Sequence, residues 1–287
     1  MADHDSLEVL LSGLTFPESP RWHNNQLWFS DFYSERVMTL DAAGQAATVV
    51  NVPGRPSGLG WDDSGALLVV SMLEQRLMRF DPHHPEAGLR QAANLSVHAT
   101  GPSNDMVVDG QGRAFIGNFG FDLYGGEAQR TACLQRVDPD GSVHKVAQEI
   151  VFPNGMVISP DGATLIVAET LAHRLTAFDI TPEGNLENRR VFAQLEGRFP
   201  DGICLDAEGA VWVADARGHV VQRVLAGGRV ERTVSTGERF AIACMLGGSD
   251  RNTLFVCTNT DRGPVCGDLK AGRIESILVE VPGAGYP

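Results

Sequence analysis

Short runs of apolar and β-branched residues, separated by turns rich in glycine and proline, follow one another along the whole chain. No window of about a dozen residues repeats apolar positions at the i, i+3, i+4 and i+7 spacing that indicates an amphipathic helix. Short runs of this composition are typical of strands, so the pattern predicts an all-β fold. The strongest runs are six: residues 26–30, 66–70, 114–117, 164–168, 210–214 and 253–257.

A recurring turn precedes these runs at intervals of roughly 40–50 residues, which is the length of one four-stranded propeller blade. In four of the units an Asp-x-x-Gly or Ser-Pro-Asp-Gly β-turn then marks the hairpin between the first two strands. The sequence therefore predicts a six-bladed β-propeller with four-stranded blades. The turns lie at Pro17, Pro56, Pro102, Pro153, Pro200 and, in a degenerate form, Ala241.

The two ends of the chain add a prediction about how the ring closes. The last unit shows only three strands, the final one at residues 274–280, whereas residues 7–11 form an apolar strand without a blade of their own. Pairing these two segments would remove an open sheet edge. We expect the N-terminal strand to complete the last blade, so that residues 1–287 form one propeller domain.

The charge balance argues against several functions. The chain has 23 Lys and Arg against 36 Asp and Glu, a formal net charge of −13, so nucleic acid is not an expected partner. No apolar run reaches the roughly 18 residues of a membrane helix, and the acidic first residues do not resemble a secretory signal. The five scattered cysteines indicate small buried residues rather than a zinc or redox site. We expect a soluble cytoplasmic protein with no membrane partner.

Polar residues follow the turn proline in successive units. Because the inner strands of a propeller begin at the same end of its channel, residues at one repeat position are expected to converge. Two of these residues are carboxylates and the others carry amide or hydroxyl oxygens, a set that favours a hard divalent cation such as Ca²⁺. The alternative is that they only cap turns. They are Glu18, Ser57, Ser103, Asn154 and Asp201, with Asn104 one position after Ser103.

Four motifs are similar to those of the SMP-30/gluconolactonase/luciferin-regenerating-enzyme family: residues 16–22 (FPESPRW), 103–105 (SND), 152–156 (FPNGM) and 199–206 (FPDGICLD). The resemblance implies a six-bladed propeller that holds one divalent metal ion in its channel and hydrolyses lactones. Carried over by position, it implies Glu18, Asn154 and Asp201 as metal ligands and Asn104 as a fourth ligand or a substrate contact. It also implies that Asp201 is the general base.

The chain departs from the sugar-lactonase members of this family beside the second motif, residues 103–105. Pro102 stands where those members carry an arginine, and an anion or polyol clamp is missing there. Phe119 and Phe121 offer an apolar wall instead, which favours a substrate less polar than a sugar acid lactone, although packing in the core is an equal alternative. Asp105 is expected near the substrate, where it would orient the Asn104 amide or a water, or else serve in an ordinary turn.

These observations predict a metal-dependent hydrolase of a lactone, with water attacking a carbonyl that the metal polarises. Asp201 would accept the proton of this water, but a carboxylate bound to a metal is a weaker base, so the identity of the base stays open. Ca²⁺ is the expected ion, with Zn²⁺, Mg²⁺ and Mn²⁺ as alternatives. The same site could cleave phosphotriesters or aryl esters, and the ring could also be a non-catalytic binding scaffold. The oligomeric state stays open.

Overall fold

Twenty-five strands lie in residues 6–286, the part of the chain that the computed structural model describes. They form six antiparallel sheets, each of which is one blade, numbered here by the order of the innermost strands. Strand β1 (Glu8–Leu14) precedes the first blade. Blade 1 contains β2 (Pro17–His23), β3 (Gln26–Asp31), β4 (Arg36–Leu40) and β5 (Ala46–Asn51). Blade 2 contains β6 (Pro56–Trp61), β7 (Leu67–Ser71), β8 (Arg76–Phe80) and β9 (Arg90–Asn94).

The next three blades repeat this order from the channel outwards. Blade 3 contains β10 (Ser103–Val108), β11 (Ala114–Asn118), β12 (Ala132–Val137) and β13 (Val143–Ile150). Blade 4 contains β14 (Pro153–Ile158), β15 (Thr164–Glu169), β16 (Arg174–Ile180) and β17 (Leu186–Gln194). Blade 5 contains β18 (Pro200–Asp206), β19 (Val211–Asp215), β20 (Val220–Val224) and β21 (Val230–Ser235).

The last blade uses both ends of the chain. It contains β22 (Phe240–Gly247), β23 (Thr253–Asn259), the short helix α1 (Cys266–Leu269) in a loop, and β24 (Gly272–Leu278). Strand β1 pairs antiparallel with β24 as the fourth strand, which confirms the predicted closure. One detail differs from prediction, because blade 5 carries a fifth strand, β25 (Gly283–Ala284), beside its inner strand. Four 3₁₀ turns complete the elements: Phe32–Ser34, Pro85–Ala87, Leu95–Val97 and Thr170–Ala172.

The core lies between neighbouring blades, which explains why many runs are solidly apolar rather than alternating. Every residue of β7 is buried. Leu67 and Val69 pack in the cluster shared with blade 1, while Leu68 and Val70 pack in the cluster shared with blade 3. Side chains alternate between the two faces of a strand, so a blade between two others needs apolar residues on both faces.

Other expectations from composition can be compared with the structure. All five cysteines are buried and free of disulfides, as expected of small core residues. Within residues 6–286, no helix has the length and apolar character needed to cross a membrane. The inner strands of neighbouring blades contact one another around the whole ring, which brings their first residues together at one end of the channel.

Candidate active site

Each inner strand loses its regular pairing directly after its first one or two residues. In blade 4, for example, Pro153 pairs with Glu169, and regular pairing resumes only at Met156. A bulge of this kind bends the strand and redirects its side chains. The same irregularity occurs in all six inner strands, so it defines one structural position per blade.

This position corrects the register that the sequence suggested for blade 3. Ser103, not Pro102, pairs opposite the end of the second strand, as Pro153 and Pro200 do in their blades. Ser103 therefore occupies the proline position, because the turn of blade 3 places its proline one residue earlier. In blade 6 the proline position is occupied by Phe240, one residue before the Ala241 that the sequence suggested. The residues directly after the proline position in blades 1 to 6 are Glu18, Ser57, Asn104, Asn154, Asp201 and Ala241.

A carboxylate at the end of the second strand holds the turn in front of this position in three blades. It accepts a hydrogen bond from a backbone N–H just before the inner strand, which ties the two strands together at the channel end. The fixed turn then sets the direction of the side chain that follows. The bonds run from Phe16 N to Asp31 at 2.9 Å, from Val151 N to Glu169 at 2.7 Å and from Phe199 N to Asp215 at 3.2 Å.

The amide side chains of blades 3 and 4 are linked directly. Asn104 Nδ2 donates to Asn154 Oδ1 at 3.0 Å, and Ser57 Oγ donates to Asn104 Oδ1 at 3.3 Å. Asn154 Nδ2 donates to Thr170 Oγ1 at 3.2 Å, and the Thr170 hydroxyl donates to the carbonyl of Pro200 at 2.7 Å. This network crosses four blades and fixes both amide groups.

Glu18 and Asp201 line the same cavity, and burial together with neighbouring carboxylates raises the pKa of both. Removal from bulk water and the nearby charge of Asp105 raise the pKa of Glu18 to about 8, against opposing effects of the Ser19 N–H and Arg21. Burial, followed by the charges of Glu18 and Asp105, raises the pKa of Asp201 well above its ordinary value. Carboxylates held this close keep their negative charge only if a cation compensates it.

One atom tests whether these residues fit a divalent ion. Asp201 Oδ1 is buried and has no hydrogen-bond partner among residues 6–286, which is costly unless another group binds it. No cluster of three or more His, Cys, Asp or Glu in the described chain could hold a metal. The set is instead mixed, with two carboxylates and two amides, and oxygen ligands of these types fit a hard cation such as Ca²⁺.

The four residues open onto a cavity of about 200 Å³ with aromatic walls. Phe119 lines it, and its ring stacks on Phe152 with centroids 4.4 Å apart. A larger open depression of about 1180 Å³ lies between blades 5 and 6 and includes none of the predicted site residues. The smaller cavity is lined by residues where the inner strands begin and by the loops between second and third strands. They include Glu18, Asn104, Asn154, Asp201, Phe16, Phe32, Tyr33 and Tyr124.

Two predicted substrate contacts lie away from this cavity. Phe121 is buried behind the wall, with its ring centroid 5.9 Å from that of Phe152. Asp105 does not line the cavity either, because its Oδ1 accepts hydrogen bonds from Arg21 at 2.8 Å and from Ser19 Oγ at 3.2 Å. Phe121 contacts a residue of the cavity wall and Asp105 contacts Arg21 and Ser19, and the contact of either with a substrate stays a prediction.

Sequence reasoning missed several residues that line the cavity. Arg217 and Arg262 lie in the loops that follow the second strands of blades 5 and 6, outside every motif. Tyr33 and Tyr124 lie in the equivalent loops of blades 1 and 3. A signal was present, because these loops occupy one repeat position, directly after the strong apolar runs.

Comparison with known proteins identifies the family to which the chain belongs. The model of the SMP-30/Gluconolactonase/LRE-like region matches residues 16–260. The chain belongs to the SMP-30/gluconolactonase/LRE-like family. Within this family, the 6-deoxy-6-sulfogluconolactonase of Pseudomonas putida is 27% identical over 278 residues, which cover 94% of this chain and 93% of that protein.

Two solved structures show that the propeller is shared. A luciferin-regenerating enzyme superimposes with a TM-score of 0.83 at 20% identity, and the match covers 98% of both chains. The calcium-binding protein regucalcin of Agrobacterium tumefaciens superimposes with a TM-score of 0.80 at 21% identity over 98% of this chain and 96% of its own. At this level of identity the similarity concerns the fold.

Proposed function

We propose that this protein is a metal-dependent lactonase. One observation carries the proposal: Glu18, Asn104, Asn154 and Asp201 converge from four inner strands on one small cavity. Membership of a family that includes a gluconolactonase relative supports the choice of a lactone over other esters. A binding scaffold would not need two buried carboxylates at the end of its channel, since burying unpaired charge is costly.

Glu18, Asn154 and Asp201 would hold the divalent ion, and Asn104 would add a fourth oxygen or contact the substrate. Ca²⁺ is the proposed ion, because all four side chains offer oxygen and a structural neighbour is a calcium-binding protein. When bound, such an ion polarises the ester carbonyl and makes a nearby water more acidic. Zn²⁺, Mg²⁺ and Mn²⁺ remain in the experiment below as competitors.

The chain's own groups account for orientation and proton transfer. Asp201 Oδ1, which has no hydrogen-bond partner in the described chain, would bind the ion, and we assign the second carboxylate oxygen of Asp201 to accept a proton from the attacking water. Water adds to the carbonyl carbon, the ring C–O bond breaks, and the departing ring oxygen takes up a proton to give a hydroxy acid. The fixed amide of Asn154 holds the neighbouring oxygens in place.

The walls of the cavity indicate how polar the substrate is. Phe16, Phe32, Phe119 and Phe152 present ring surface to one side of the space above the carboxylates. Aromatic walls favour ligands with an apolar portion, because the contact removes apolar surface from water. We therefore propose a lactone that is less polar on this side than a sugar acid lactone.

The proposal is tested by metal removal and selective restoration. Protein stripped with EDTA should release no acid from D-glucono-1,5-lactone or δ-valerolactone, and adding back Ca²⁺ should restore turnover more than Zn²⁺, Mg²⁺ or Mn²⁺. Asp201→Ala and Asn154→Ala should reduce turnover to background. Asn188→Ala, on the outer strand β17 of the same blade, is the matched control and should keep full activity.

Three outcomes would contradict the proposal. Full activity of the stripped wild type would remove the metal dependence. Turnover of a phosphotriester or phenyl acetate without turnover of any lactone would replace the substrate class. Failure to bind any divalent cation, together with no hydrolysis, would leave the ring as a binding scaffold.

A further inference from the structure

The loops between second and third strands form the rim of the cavity, and their chemistry divides it in two. They occupy one repeat position, so each blade contributes at most a few side chains to the rim. Blades 1 to 4 contribute mostly apolar and aromatic side chains, whereas blades 5 and 6 contribute two guanidinium groups. The rim residues of blades 1 to 4 include Phe32, Tyr33, Met72, Phe119, Tyr124 and Leu171, and those of blades 5 and 6 include Arg217 and Arg262.

The two arginines are held by aromatic rings rather than by carboxylates. The guanidinium carbon of Arg217 lies 4.2 Å from the ring centroid of Phe199, and that of Arg262 lies 4.6 Å from the centroid of Phe240. Both rings belong to the turns that begin the inner strands of blades 5 and 6. Cation–π contact fixes the position of a guanidinium but uses none of its N–H donors.

Neither arginine forms a salt bridge with a carboxylate in the part of the chain described. The nearest sequence neighbour, Asp261, directs its Oδ1 to the backbone N–H groups of Arg262 and Gly263. Most other arginines are paired, including Arg198 of blade 5, whose Nη1 lies 3.4 Å from Asp215. Among the arginines of residues 6–286 that form no salt bridge, Arg217 and Arg262 are the two that line the cavity.

From this arrangement we infer that Arg217 and Arg262 form an anion subsite, so that the substrate is a lactone that carries an acid group such as a sulfonate or carboxylate. The inference rests on the proposed lactonase function and narrows its substrate class. The lactone ring would lie at Asp201, its apolar edge against the aromatic side of the rim, and its acid group at the two guanidinium groups. Arginine suits this task because its planar donors match two oxygens of one anion.

The sequence had indicated that no anion clamp is present, because position 102 is proline. Position 102 lies in blade 3, so its proline excludes an arginine clamp in that blade alone. Arg217 and Arg262 supply positive charge from two other blades, on the opposite side from Phe119. The aromatic wall and the anion subsite therefore describe two ends of one amphiphilic ligand.

Binding and turnover can be measured separately. The probes are two hydrolytically inert δ-lactams with the same short side chain, which ends in a sulfonate in one and in an uncharged methyl sulfone in the other. Calorimetry on the metal-loaded wild type should give a dissociation constant about 100-fold lower for the sulfonate. Raising NaCl from 50 to 500 mM should reduce this preference, because the arginines are exposed.

The variants separate these guanidinium groups from the general charge of the protein. Arg217→Gln and Arg262→Gln should each weaken sulfonate binding about tenfold and leave sulfone binding unchanged. Arg232→Gln removes the same charge from the outer strand β21 of blade 5 and should change neither. The matching lactones should show the same pattern in KM, with kcat retained.

The outcomes distinguish this inference from the proposed function. Equal affinity for the two lactams, no binding of either, or equal losses in all three arginine variants would overturn the anion subsite, whatever the turnover. Charge-selective binding with no hydrolysis of either lactone would uphold the subsite and contradict the lactonase proposal. Hydrolysis of both lactones at equal KM would uphold the lactonase and overturn the subsite.

Discussion

At the scale of single residues, the buried ion pair between Arg21 and Asp105 connects to both carboxylates of the cavity. Arg21 is buried, and its Nη2 donates to Asp105 Oδ1 at 2.8 Å and to the backbone carbonyl of Met106. Asp105 in turn contributes to the raised pKa values of Glu18 and Asp201. Arg21 therefore balances a site that carries more negative than positive charge.

We expect Arg21→Met to lower the free energy of unfolding by about 3–5 kcal/mol, because it leaves the Asp105 carboxylate buried without its partner. The measurement is urea denaturation of the metal-free protein. Adding Asp105→Asn to the same variant should recover part of the loss, since the unpaired charge is then gone. Arg190→Met, which breaks an exposed pair with Asp179, is the control and should have little effect. A loss no larger than that of the control would contradict the prediction.

The convergence of Glu18, Asn154 and Asp201 on the cavity could be predicted because the repeat marks their position. Glu18, Asn154 and Asp201 each follow a turn proline, and their common register predicts convergence without any knowledge of distances. Asp105 and Phe121 could not be assigned in this way. Adjacent residues in a bulge point in different directions, and only the three-dimensional contacts show that Asp105 faces Arg21 and that Phe121 faces Phe152.

At the scale of elements, glycines allow neighbouring inner strands to approach each other at the bulge. A Cβ on Gly155 would lie 2.6 Å from the backbone oxygen of Asp201 and from the backbone nitrogen of Ile203. A Cβ on Gly202 would lie 2.3 Å from the Cβ of Ala243. These contacts involve backbone or short side chains that cannot rotate away. The close approach is what brings Asn154 and Asp201 into one site.

Gly155→Ala should therefore push β14 and β18 apart. We expect a loss of about 1–3 kcal/mol in unfolding free energy, as for other overpacked sites. Affinity for the divalent ion should fall as well, measured by titration of the stripped protein, because the two strands carry separate ligands. Gly267→Ala is the control, since its added methyl group meets Tyr33 at an ordinary 3.4 Å. Unchanged metal affinity in a folded Gly155→Ala protein would show that the approach of the strands does not define the site.

At the scale of the whole molecule, the ring could be predicted from the spacing of its turns, and the closing strand from the unequal ends of the chain. The two-residue strand β25 could not, because Gly283 and Ala284 have no apolar pattern and pair only through backbone groups beside Leu205 and Asp206. The cationic side of the rim was missed for a related reason. The repeat marks where these loops lie, but their residue types do not recur from blade to blade, and only the closed ring brings the loops of blades 5 and 6 together.

Closure of the ring by β1 is open to a direct test. A chain that begins at Thr15 lacks the strand that pairs with β24, and it loses Leu14, which is 3% exposed, together with the half-buried Leu10 and Leu11. We expect its melting temperature to fall by roughly 10–20 °C, from the lost apolar burial. The bare edge of β24 should also promote association, visible by size-exclusion chromatography.

A synthetic peptide of residues 7–14 should restore the melting temperature of this shortened chain and the elution volume of the 287-residue chain, because it can add to the same edge. A scrambled peptide of identical composition should restore neither. Thr15 and Phe16 of the shortened chain directly follow β1 and donate backbone N–H groups to Asp31, just before Glu18. A peptide that takes the place of β1 should steady this turn, so metal binding should improve in parallel with stability. A shortened chain that melts and elutes like the full protein would mean that blade 6 is stable with three strands, and that the channel end does not depend on how the ring is closed.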